Sequence, residues 1–202
     1  SGASPSITNS TFIGNTGIAG GGMHNQNATT APVITNCTFS GMIVSNSGGA
    51  IYNLNGAAPV LTNCTIYGNH ATFNGGGMTN DDSAAPVITN CILWNNSSSG
   101  TAGIHNVSST PVVTYSIIQG TVPHPGVGNL LIDPLFSNPS DPDGADNIHR
   151  TADDGLRLQT GSPAINSSDP ATVAPTTDIT GALRTGVFDM GAYEGGVFVC
   201  PS

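Results

Sequence analysis

Apolar and polar positions alternate along this chain in short bursts, and the bursts recur. The clearest runs from Pro32 to Phe39, PVITNCTF, and returns as PVLTNCTI from Pro59 and PVITNCIL from Pro86. Looser copies are PSITNSTF from Pro5 and PVVTYSII from Pro111, so the prolines step by 27, 27, 27 and 25 residues. A fixed period in this range marks a repeat architecture. Coils then run roughly over 5–31, 32–58, 59–85, 86–110 and 111–121. Ile7, Ile34, Leu61, Ile88 and Val113 form an aliphatic column. Ser10, Cys37, Cys64, Cys91 and Ser116 form a small one. Phe12, Phe39, Ile66, Leu93 and Ile118 form a large apolar one, and Met23, Ile51, Met78 and Ile104 follow later in the coil. Thr8, Thr35, Thr62, Thr89 and Thr114 sit between apolar neighbours, the alternation of a strand with one face buried.

One such coil cannot bury its inner face alone, but stacked coils can, each strand pairing with its equivalent about 4.8 Å above. The pattern predicts an all-β right-handed parallel β-helix over residues 1–121, about five rungs of about 27 residues with about three strands per rung. A propeller needs longer blades with a Trp-Asp signature, which this chain lacks. Asn9, Asn36, Asn63 and Asn90 make a further column. Asn tolerates left-handed backbone and its amide can bond to the copy above or below, so the column reads as a turn ladder. Cys37, Cys64 and Cys91 read as stacked buried free thiols, since in-register side chains point the same way. From about residue 122 the period is lost, and 122–202 reads as an irregular, loop-rich cap on the last rung.

Composition narrows the function. The net charge is −9, there is no lysine, and the three cations Arg150, Arg157 and Arg184 all lie in the last third. Nucleic acid needs several phosphate-neutralising contacts, and an anionic membrane needs basic residues; neither partner fits. No apolar run is long enough for a transmembrane helix, so no membrane insertion is expected.

Two resemblances follow from quoted motifs. FIGN (12–15) with GGGM (20–23), then GGAI (48–51), IYGN (66–69) with GGGM (75–78), and LWNN (93–96) resemble the FxxN and GGA[ILV] repeats of the chlamydial polymorphic outer membrane proteins. Many bacterial surface β-helix proteins carry similar repeats. The second coil departs from the pattern, with Met42 where Asn is expected. DPLF (133–136), TADDGLRLQTGSPAIN (151–166), DITGALR (178–184) and FDMGAYE (188–194) resemble the choice-of-anchor Q region that follows β-helices in secreted bacterial proteins. Both resemblances imply an extracellular, cell-surface location, and neither implies an enzyme activity.

Candidate chemistry is sparse. A lyase acting on uronates needs a cationic base, and the coils hold no Lys or Arg. A glycosidase needs two carboxylates facing one groove, and the coils hold only the adjacent Asp81 and Asp82. His24 and His105 share a repeat position two rungs apart, too far to ligate one metal. The best metal candidate is DPDGADN (141–147) with Asp153 and Asp154: Asp141, Asp143, Asp146, Asp153 and Asp154 offer hard oxygens of the kind Ca²⁺ takes, although the loop is not an EF-hand. The first expectation is therefore a non-catalytic extracellular β-helix, a surface stalk, adhesin or fibre subunit whose first coil accepts the end of a neighbour, or which contacts a cell-surface glycan or protein. The second is a carbohydrate-binding or carbohydrate-active β-helix using Tyr52, Tyr67, Trp94 or Tyr115 as platforms. The third is ice binding through the outward columns Thr8/Thr35/Thr62/Thr89 and Thr11/Thr38/Thr65, which the Asn turn between them places on different faces.

Overall fold

The computed structural model describes residues 2–172 and 175–195; Cys200 lies outside them. It is a parallel β-helix. The first coil holds β1 (Ser6–Thr8), β2 (Thr11–Ile13), β3 (Thr16–Gly17) and β4 (Met23–Gln26). The second repeats this as β5 (Val33–Thr35), β6 (Thr38–Ser40), β7 (Ile43–Val44) and β8 (Ile51–Leu54). The third holds β9 (Val60–Thr62), β10 (Thr65–Tyr67), β11 (His70–Ala71) and β12 (Met78–Asp81), and the fourth β13 (Val87–Thr89), β14 (Ile92–Trp94), β15 (Ser97–Ser98) and β16 (Ile104–Val107). A partial fifth coil adds β17 (Val112–Thr114) and β18 (Ile117–Ile118).

Each of the four full coils thus contributes to four parallel sheets, not three. The first sheet runs β1-β5-β9-β13-β17 and the second β2-β6-β10-β14-β18. The third runs β3-β7-β11-β15 and the fourth β4-β8-β12-β16. The strands of the third sheet are two residues long, too short to show an alternation.

Like stacks on like, as the columns require. Ile7 registers with Ile34, Ile34 with Leu61, Leu61 with Ile88 and Ile88 with Val113. Phe12 lies over Phe39 with rings parallel and 4.6 Å apart. These side chains, with Met42, Ile51, Met78 and Cys37, Cys64 and Cys91, form one continuous inner core. Turning a three-residue strand into its neighbour needs left-handed backbone, and Asn9, Asn36, Asn63, Asn90 and Tyr115 supply it with φ between 45° and 56°. That part of the Asn reading holds.

The region after the coils is not simply a lid on the last rung. Residues 126–130 do cover that rung: Ile118 N donates to Leu130 O at 3.0 Å, and Asn129 bridges Ser116 N and Val113 O. The chain then runs back along the flank of the solenoid as a strap. Arg150 Nη1 reaches Asn9 O in the first coil at 2.9 Å. The physical reason lies on the outer face of the second sheet. Ile92 and Ile117 point outward there and need cover, and they join Phe136, Leu156, Leu158, Ala164, Ile179, Met190, Ala192 and Tyr193 in a second core. Burying such a face stabilises at roughly 25 cal/mol per Å².

Candidate functional site

The strap holds on through the Asn corners. Asn36 Nδ2 donates to Asn9 Oδ1 at 3.2 Å, the one bond of the expected ladder, and also to Thr177 O at 2.7 Å. Asn63 Nδ2 donates to Asp189 O at 2.9 Å, and Asn90 Oδ1 accepts Asp169 N at 2.8 Å. The amides therefore face the strap more than one another. The uninterrupted ladder is elsewhere. Asn25, Asn53, Asn80 and Asn106 of the fourth sheet chain their amides at 2.8 Å per step, with Asn53 and Asn80 fully buried. Sequence reading missed it. Its signal was an Asn two residues beyond each member of the Met23/Ile51/Met78/Ile104 column, on the same inward side.

Arg184 is the strap's main anchor. Its buried guanidinium donates to Glu194 Oε2 at 2.8 Å, Gly191 O at 2.9 Å and Asn36 Oδ1 at 3.2 Å. Arg157 lies 3.9 Å from Asp178 and 5.9 Å from the Tyr193 ring. Asp189 accepts the backbone N–H groups of Asn166 and Gly195, yet burial, with the nearby Glu194 charge adding to it, pushes its carboxyl up to about 6. Burial likewise raises Glu194. Tyr193 is raised by burial and then by its hydrogen bond to Asp154, 2.7 Å away.

The structure brings together three of the five carboxylates expected to hold calcium. Asp153 Oδ1, Asp154 Oδ1 and Asp146 Oδ1 lie 2.8, 3.3 and 3.4 Å from Thr151 Oγ1. Each of these residues also accepts a main-chain N–H: Asp153 from Asp146, Asp146 from Ile148, and Asp154 from Arg150. The bond from Thr151 holds the Asp153 carboxyl below its ordinary range. Among the described residues no hydrogen bond ties Asp141 or Asp143 to Thr151. Among the described residues no three His, Cys, Asp or Glu side chains are arranged to hold a metal ion. Three of the five carboxylates thus belong to a turn network centred on the Thr151 hydroxyl.

Cys37, Cys64 and Cys91 are free, buried and aligned. Cys64 N donates to Cys91 Sγ at 3.4 Å, and each thiol donates to the carbonyl two residues before it. Asp81 and Asp82 form a turn: Asp82 N donates to Asp81 Oδ1, and Tyr52 OH to Asp81 Oδ2. His24 and His105 stay apart on the fourth sheet.

What the structure assembles instead is a groove. Tyr67 and Trp94 are register partners on adjacent strands, side by side on the outer face of the second sheet. Across from them the strap supplies Asp133, Leu135, Phe136, Pro139 and Gln159, enclosing about 310 Å³ with Asn95. Phe136 meets Tyr67 edge-on at 5.4 Å, and Asn95 Nδ2 donates to Tyr67 OH at 2.8 Å. Asp133 Oδ1 accepts Leu135 N at 2.8 Å, which fixes the one carboxylate of that lining. The trough continues past Gly68, Gly41 and Ser40 to Ile13, along the solenoid axis. Two of the four platform candidates are thus brought together; Tyr52 lies on the fourth sheet and Tyr115 at a corner of the last coil.

A search of curated proteins returned no match. A family model described as the right-handed β-helix region matches residues 1–128, the coils and the turn that covers the last of them. With winding, period and stacking in agreement, the chain belongs to the right-handed β-helix family.

Proposed function

We propose that this chain is a non-catalytic extracellular β-helix, structural and adhesive, which holds a glycan chain along the groove of Tyr67 and Trp94. One observation carries the reading. Two aromatic side chains, Tyr67 and Trp94, stand in register on consecutive coils, on strands about 4.8 Å apart. They are flanked by Asn95, Gln159 and Asp133 and open into a trough that runs along the axis. Sugar rings bring an apolar face and a polar rim, and aromatic platforms beside fixed hydrogen-bonding groups suit both. Binding without cleavage is favoured by the single, already bonded carboxylate of that lining; hydrolysis uses two.

A glycan array followed by calorimetry tests this. The expected outcome is binding that Trp94→Ala and Tyr67→Ala each weaken by about tenfold or more, as the loss of one stacking platform of about 1.5 kcal/mol implies. Turnover of a bound oligosaccharide, or an array without hits, would reject it.

A second reading, end-to-end stacking of copies as in a fibre, is favoured by the first coil. Its inward Ile7, Phe12 and Met23 are only half-buried against the core, and β1 to β4 each have one unpaired edge among the described residues. Such edges accept a further coil. Sedimentation and electron microscopy at rising concentration check whether a second copy supplies it; a monomer throughout ends this reading.

A further inference from the structure

We propose that the outer face of the first sheet is an ice-binding surface. The face consists of two parallel columns. Thr8, Thr35, Thr62, Thr89 and Thr114 stand in strict register, one per coil. Two residues before each, on the same face, Ser6, Val33, Val60, Val87 and Val112 stand in register too. The second column is solvent-facing: Val33 is 44% exposed, Val87 37% and Val112 55%. The five strands carry no charged residue.

The other outward faces keep no such order. The third sheet presents Thr16, Ile43, His70 and Ser97, and the fourth His24, Tyr52, Thr79 and His105. The other threonine column is closed, because Thr38 and Thr65 are buried and Thr65 Oγ1 accepts Ala192 N from the strap. A two-column array on one face therefore exists, built from Thr and Val rather than from Thr alone. Valine matches threonine in shape, so each row offers methyls at a fixed height, with hydroxyls on one side. The columns repeat about 4.8 Å up the axis and stand about 6.6 Å apart along the strand. The axial step falls close to an oxygen repeat of hexagonal ice. Thr89 and Thr114 hydroxyls lie 3.3 Å apart, within hydrogen-bonding distance of each other.

The occupant is argued from size and composition. Three residues by five strands span about 10 Å by about 24 Å, roughly 240 Å², far below the ~800 Å² per partner of a stable protein interface. The face also lacks the Tyr, Trp and Arg anchors that dominate such interfaces. A surface that is small, flat, uncharged and periodic fits a periodic partner, and ordered water is one.

The test is thermal hysteresis and ice-recrystallisation inhibition by the 202-residue chain. Wild type is expected to show both. Thr62→Lys, at the centre of the array, is expected to lose both while keeping its circular-dichroism spectrum and melting temperature. His70→Lys, exposed on the third sheet, is expected to keep both. No activity in wild type overturns the proposal, as does equal activity in Thr62→Lys or loss only in His70→Lys. A dimer in light scattering that Thr62→Lys converts to monomer also overturns it, by assigning the face to a second copy.

Discussion

Lowering the pH from about 7.5 to about 5 should make this acidic protein more stable, and Asp189 is the reason. The residue is 1% exposed; its main-chain N–H donates to Glu194 Oε2, its carbonyl accepts from Arg184, and the charges of those two side chains act on its carboxyl. Burial holds it up at about 6, against an ordinary 3.8 once unfolded. A group raised by folding prefers its proton in the folded state, so its contribution is fully present below about 3.8 and is lost as pH rises through about 6. The difference of 6 − 3.8, about two pH units, corresponds to about 3 kcal/mol. For a chain of this length the full difference is roughly 6–12 °C of melting temperature, of which about half develops between pH 7.5 and pH 5. Glu194, also raised by burial, adds in the same direction. Asp153 is lowered, so any contribution from it is lost only below the ordinary carboxylate range, outside this window. Thermal melts between about pH 4 and pH 8 measure the slope. Asp189→Asn should flatten most of it. A wild type more stable at pH 7.5 than at pH 5, or an Asp189→Asn variant with the full slope, would refute the assignment.

Three further outcomes follow from the packing. Gly191→Ala should loosen the strap, because its backbone sits at φ +91° and a Cβ would stand 2.8 Å from Ile92 Cδ1. The strain is worth about 1–3 kcal/mol, and limited proteolysis should cut within 130–195 sooner while the coils resist. Asn53→Ala should cost about 2–6 kcal/mol in urea unfolding, since it orphans the buried donor of Asn25 and acceptor of Asn80 at about 1–3 kcal/mol each. Cys37, Cys64 and Cys91 should resist iodoacetamide until the protein unfolds, as peptide mass spectrometry reads. The neighbouring Cys64 thiol, with burial, raises the first thiol, and burial raises the second.

The solenoid was legible because its signal is local and repeated. One proline step fixed the coil length, and alternation within PVITNC fixed which residues look inward. The third strand of each coil was not legible: Thr16-Gly17, Ile43-Val44, His70-Ala71 and Ser97-Ser98 share no pattern, and two residues cannot alternate. The Asn corners illustrate the opposite limit. Their left-handed backbone followed from residue type. Their true partners did not, because Asn36 to Arg184 or Asn63 to Asp189 spans more than a hundred residues with no local trace. The groove was half visible. Tyr67 and Trp94 occupy one column of the repeat, whereas Phe136, Asp133 and Gln159 reach them only because the strap turns back. In the acidic loop, too, the partners lay beyond the residue pattern: three of the five carboxylates accept main-chain N–H groups.

The strap also explains where the cations went. All three reach carbonyl oxygens: Arg150 that of Asn9, Arg157 that of Glu194, and Arg184 those of Gly191 and Ala192. A guanidinium can fork across several carbonyls while staying charged beside Glu194 and Asp178, which an ammonium does less well. One wall of the aromatic groove is this same strap, resting on the same second core. On the proposed function, a ligand held between Tyr67, Trp94 and Phe136 would contact both bodies at once and would stabilise the docked strap by the free energy of its own binding. Docking and recognition are in that sense one equilibrium: whatever weakens Arg184 or charges Asp189 should also lower affinity in the groove, without touching a residue that lines it.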